Sequence, residues 1–129
     1  MKKDNKNEEL KEIENTLKEE NLIDEDDFLE FTDKGDYWEK FLIFNNQIRG
    51  YYYYTNKAII FIGGAVGSTK WIIRYSDIKN ISKIKIALFM PTGIKLEVFD
   101  KEKNKTKKYK MSVLKRDKWI EYIKGKMNR

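Results

Sequence analysis

The chain has 129 residues, 40% of them hydrophobic, 14% aromatic and 37% charged, which suffices for one small core with a solvated appendage. It contains no cysteine and no histidine, so disulfides, Cys/His zinc sites, thiol nucleophiles and Ser-His-Asp triads are excluded. The net charge of +6 is divided unevenly: residues 1–39 hold 15 acids and 6 lysines (−9), residues 40–129 hold 21 bases and 6 acids (+15).

The first twenty residues are polar and acidic and lack the apolar core of a signal peptide. Leu10, Ile13 and Leu17 make one narrow stripe at helical spacing, with Glu14 and Lys18 as an i,i+4 pair. The stripe stops at Asn21, a residue that tolerates the left-handed cap. Asp24 with Glu25, Asp26 and Asp27 reads as a second helix start, Phe28, Leu29 and Phe31 as its apolar side, and Gly35 as its stop. Two short helices are therefore expected over 1–36. From Tyr37 the period becomes two. Strands are expected over 38–45, 50–55, 58–62, 70–75, 78–87 and 94–98, and from Tyr109 to Val113, with turns at 45–47, 56–57 and 91–93. The segments 63–68 and 100–108 read as a glycine-rich loop and a charged hairpin loop. Trp119, Ile120, Ile123 and Met127 share one face of a closing helix. The expected fold is mainly β: about seven antiparallel strands curled into a barrel, capped by a C-terminal helix and preceded by a helical hairpin. No apolar run reaches the length needed to span a bilayer, so a cytoplasmic protein is expected, with room for peripheral contact at the inner face of the membrane.

Residues 50–61, Gly-Tyr-Tyr-Tyr-Tyr-Thr-Asn-Lys-Ala-Ile-Ile-Phe, resemble the GRAM and bacterial pleckstrin-homology pattern G-x-L-Y-L-T-N-x-R-L-I-F. Gly67 with Thr69-Lys70, Asp77-Ile78, residues 93–99 and Trp119 continue the resemblance over about residues 37–124. It implies a strongly bent seven-stranded sheet, a closing helix, and a non-catalytic binding domain over 37–129. Tyr52 and Tyr54 stand where the family prefers leucine and Ala58 where it prefers arginine. The turn at 45–49 carries a single base, Arg49, so inositide recognition is not implied. Residues 1–36, with Asn21-Leu22-Ile23-Asp24-Glu25 and Phe28, are similar to the SHOCT module, a short helical hairpin that implies a role in assembly.

Candidate binding residues follow from charge. Lys101, Lys103, Lys105, Lys107, Lys108 and Lys110 form a basic run, extended by Lys115 and Arg116, that suits an anionic lipid surface. Phe89 and Met90 either dip into a membrane interface or cover the end of the barrel. The acidic N-terminal segment either aids assembly or masks the basic face. The other candidate partners are another protein and a second copy of the chain. Weak nucleic-acid binding ranks below these. Residues 63–70 miss the phosphate-loop spacing, and residues 24–27 miss the calcium-loop pattern. With carboxylates, tyrosines and lysines at no informative spacing, neither an enzyme nor a cofactor or metal is expected.

Overall fold

Helix α1 (Lys2–Glu19) carries the Leu10, Ile13, Leu17 stripe in the computed structural model, which describes residues 2–41, 44–85 and 91–128. Its stop is the one the sequence announces. Asn21 takes a left-handed conformation (φ 61°), Leu22 N–H donates to the Leu17 carbonyl at 2.9 Å, and Asn21 N–H donates to that of Lys18 at 3.0 Å. That pair of bonds is the Schellman arrangement.

The expected second helix does not form, so residues 1–36 are not a helical hairpin. The acids of 24–27 close a turn instead. Asp27 N–H donates to the Asp24 carbonyl (3.1 Å), and the Asp27 carboxylate accepts from Asp24 N–H (2.9 Å). Residues that cap helices also favour such turns. Strand β1 (Leu29–Phe41) follows and crosses the expected boundary at 36/37. It pairs along its length with β2 (Phe44–Thr55), and that long-range ladder overrides the local helix signals. A bulge between Leu29 and Phe31 turns Leu29 toward α1 and Phe31 toward the closing helix. The expected turn at 45–47 is also displaced: Asn45, Asn46 and Gln47 pair with Lys40, Glu39 and Trp38 inside the β1–β2 ladder. The connection falls at 42–43, outside the described residues.

β3 (Ala58–Gly63), β4 (Thr69–Arg74), β5 (Ile78–Ile84), β6 (Gly93–Asp100), β7 (Lys105–Ser112) and α2 (Arg116–Met127) follow the expected order. The sheet runs β4-β3-β2-β1-β7-β6-β5, with every neighbouring pair antiparallel. It is open, not the closed barrel expected: β4 and β5 are its two edges. Lys70 and Arg74 on one edge and Lys79 and Lys83 on the other oppose edge-to-edge pairing. The curl is held by rings instead of a ladder. Trp71 of β4 lies 5.2 Å from Tyr109 of β7 and 5.6 Å from Tyr37 of β1.

The two faces of the sheet bury different surfaces. The inner face collects Tyr37, Tyr52, Tyr54, Ile59, Phe61, Ile94, Leu96 and Met111, and α2 closes it with Trp119, Ile120 and Ile123. Trp119 stacks on Tyr54 at 4.1 Å, and its Nε1–H donates to Asp33 Oδ2 at 2.6 Å. The outer face of β1–β3 holds Leu29 and Ile60 against Leu17 of α1. This explains why residues 58–62 are apolar at every position: β3 is covered on both sides.

Candidate functional site

The basic run is built on the β6–β7 hairpin. The Asp100 carboxylate accepts from the N–H groups of Glu102 (3.0 Å) and Lys103 (3.3 Å), and Asn104 takes a left-handed φ of 52°. These two residues fix a four-residue turn over 101–104. The loop expected over 100–108 is thus shorter, and the strand resumes at Lys105. Alternation then divides the lysines between two faces. Lys105 and Lys107 extend the row of Tyr109 and Met111, with Lys107 Nζ 4.8 Å from the Tyr109 ring centre. Lys108 and Lys110 lie on the other face, opposite Glu97 and Lys95. Lys101 and Lys103 occupy the tip. All six are exposed, and among the described residues none forms an ion pair.

Lys115 and Arg116 do not join this surface. They follow the far end of β7, which at about 3.3 Å per residue lies roughly 25 Å from the tip. Arg116 is partly buried, and its Nη1–H donates to the Ile84 carbonyl (3.3 Å), so it ties α2 to β5. Phe89 and Met90 lie outside the described residues. Helix α1, with six acids and five lysines, packs on the outer face of β1–β3, and no ion pair joins it to the hairpin lysines among the described residues. Its buried acid, Glu14, turns inward: it accepts from Leu29 N–H (2.9 Å) and meets Lys11 (2.7 Å) and Lys18 (3.4 Å). Burial works to raise this carboxyl. The Lys11 hydrogen bond, the Leu29 N–H and the two lysine charges outweigh it and hold Glu14 below its ordinary value.

The remaining sequence candidates resolve as structural parts. Tyr52 and Tyr54 point inward and are fully buried, while Tyr51 and Tyr53 take the outer face. Burial pushes the hydroxyls of Tyr52 and Tyr54 well up and that of Tyr37 up to about 12, so all three stay protonated at neutral pH. Residues 63–69 turn from β3 to β4 through left-handed Gly64 and Gly67, and a strand follows, as the failed phosphate-loop spacing implies. Asp24, Asp26 and Asp27 converge, but Lys57 already sits among them, 2.9 Å from Asp27 and 3.7 Å from Asp26. One lysine thus offsets part of the cluster's charge.

One feature had no clear sequence signal. A groove of about 410 Å³ opens on the outer face where β1 and β7 part. Gly35 and Gly50, paired across β1 and β2, form its floor. Lys34, Arg49, Tyr51 and Leu114 stand around it, and Leu114 is 89% exposed. Its residues come from four separate stretches of chain, brought together only by the ladder.

Among solved structures the chain is similar to the crystal structure of the C-terminal domain of an unknown protein from Leishmania infantum, with a TM-score of 0.64 and 16% identity, over 91% of this chain and 95% of that one. No protein-family model matches the chain, and no curated protein matches it. Among the described residues no helix is long and apolar enough to cross a membrane. The likeness is one of fold: a mainly β protein with an open seven-stranded antiparallel sheet, an N-terminal helix and a C-terminal helix.

Proposed function

We propose that the chain is a non-catalytic binding module of the pleckstrin-homology/GRAM type that meets an anionic membrane surface through its β6–β7 hairpin. The observation that carries this reading is the set of six exposed lysines on one hairpin, none ion-paired among the described residues. The two-sided presentation suits a flat, diffuse anion layer better than a single pocketed phosphate, because the lysines converge on no common point. The strand order and closing helix agree with the GRAM-like motif over 50–61. The inward tyrosines, neutral and packed, supply no acid–base pair, in keeping with binding instead of catalysis.

Co-sedimentation with phosphatidylcholine vesicles carrying about 30% phosphatidylserine tests the reading. Each well-placed lysine contributes about 1 kcal/mol, so replacing Lys101, Lys103, Lys107 and Lys108 by Gln is expected to weaken partition more than about tenfold. Binding by the parent protein should also fall as salt rises from about 50 to about 150 mM. Equal partition of parent and variant would contradict it.

A further inference from the structure

The groove beside β1 has the features of a peptide site. Residues 31–35 of β1 pair with β2 on one side only, with Glu30 in the bulge; β7 reaches no further than the Asp36–Ser112 pair. No other backbone hydrogen bond reaches residues 30–35 among the described residues. A half-paired strand is a template for one more strand. Space lies along that edge. The groove at Gly35 is about 410 Å³, and a second cleft of about 230 Å³, mixed in charge, lies between Glu30, Thr32 and Asp33 of β1, Glu9 and Leu10 of α1, and Lys115, Lys118 and Trp119. Six residues of strand span about 20 Å, enough to register a short extended segment.

Charge chooses the occupant. Lys34 and Arg49 are diagonal neighbours on the outer face, one step from the Lys34–Tyr51 and Asp36–Arg49 pairs. Both are exposed, and neither has an ion-pair partner among the described residues. One acid, Asp36, lies opposite Arg49 and accepts from Gln47 Nε2–H at 2.6 Å, so the groove keeps two cations against one anion. Beside the two cations stand two exposed apolar surfaces, Tyr51 and Leu114. Leu114 follows directly after Val113, whose N–H is tied to the Thr92 carbonyl at 3.0 Å, so its place at the rim is fixed by the fold.

We propose that this groove takes an extended acidic peptide, added beside residues 30–35 of β1, with a carboxylate on Lys34 and Arg49 and an apolar side chain against Tyr51 and Leu114. The inference does not rest on the hairpin reading. The two surfaces share no residue, so vesicle binding can fail while this site stands, and the reverse.

The test is amide NMR on the uniformly ¹⁵N-labelled full chain, titrated with the synthetic heptapeptide Ser-Glu-Ser-Val-Ser-Glu-Ser, whose glutamates and valine share one face of an extended strand. Saturable shifts are expected at Gly35, Gly50, Tyr51 and Leu114. The double variant Lys34→Glu, Arg49→Glu, checked for an unchanged fold by its own spectrum, should weaken binding at least about tenfold. A peptide N-methylated at alternate backbone nitrogens should also lose binding, because it cannot complete the ladder. Four results would overturn the proposal: no saturable shift; shifts confined to the β6–β7 hairpin, which would mark bare charge attraction; equal binding of the double variant; or equal binding of a peptide with lysine in place of glutamate.

Discussion

Helix α2 enters the inner face of the sheet with Trp119, Ile120 and Ile123 all buried, whereas α1 meets the outer face with Leu17 and the carboxylate Glu14 as its buried residues. The contacts differ in kind. Trp119 is stacked on Tyr54, edge-on to Phe31 and Tyr122, and hydrogen-bonded to Asp33. It belongs to the main core. α1 rests on a smaller aliphatic cluster, Leu17 with Leu29 and Ile60, and on one acid that accepts from the first residue of β1. The comparison teaches that the sheet needs α2 to close its core, while α1 is held by a shallow contact and a charge-dependent hydrogen bond.

The largest expected effect is therefore at Trp119. Trp119→Ala should cost about 3–5 kcal/mol, read as a lower urea midpoint for the whole chain. A loss below about 1 kcal/mol would break the comparison. Leu17→Ala comes next, at about 2 kcal/mol or a little more, because its cluster is smaller. The amides of α1 should then exchange faster than those of β2 and β3. Uniform loss of protection would contradict separate docking of the two helices.

Acid sharpens the same contrast. The folded-state value of the Glu14 carboxyl is depressed below its ordinary 4.5. Its stabilisation is thus complete above that ordinary value and is lost as pH falls through the lowered one. Below about pH 4.5, α1 should loosen before the sheet melts, as seen in the α1 amide shifts. Glu14→Gln should remove that step. An unchanged acid transition in the variant would assign the effect elsewhere, with Asp27, also held low against burial by Lys57, as the next candidate. The smallest effect belongs to the hairpin. Lys101→Gln and Lys103→Gln should each leave stability within about 0.5 kcal/mol, since both are exposed at the tip and form no ion pair among the described residues.

Periodicity carried most of the architecture. The alternation around Ile94, Leu96 and Val98 and the stripe at Trp119, Ile120 and Ile123 described real buried faces, because each segment packs one face on the core and turns the other outward. The failures cluster where long-range pairing decided the matter. Residues 24–35 hold helix caps and an apolar set at helical spacing, yet the ladder with β2 made 29–35 a strand. The Glu30 bulge broke the alternation that would have announced it. The unbroken apolar run of 58–62 did hold a legible message, that something covers its second face; the α1 stripe is what covers it. The hairpin lysines were legible as a run, but their division between faces depends on where the turn ends, which Asp100 and Asn104 set. The β1 groove joins Lys34 to Leu114 and was beyond reach of any local pattern.

The most direct test of the membrane reading uses the absence of cysteine, which makes a single introduced thiol unique. Lys103→Cys on the hairpin tip and Lys124→Cys on exposed α2 are each labelled with a polarity-sensitive fluorophore and mixed with phosphatidylserine vesicles. The account predicts a salt-sensitive blue shift from the label at 103 and none from that at 124. A shift at 124 alone, or at neither position, would contradict it.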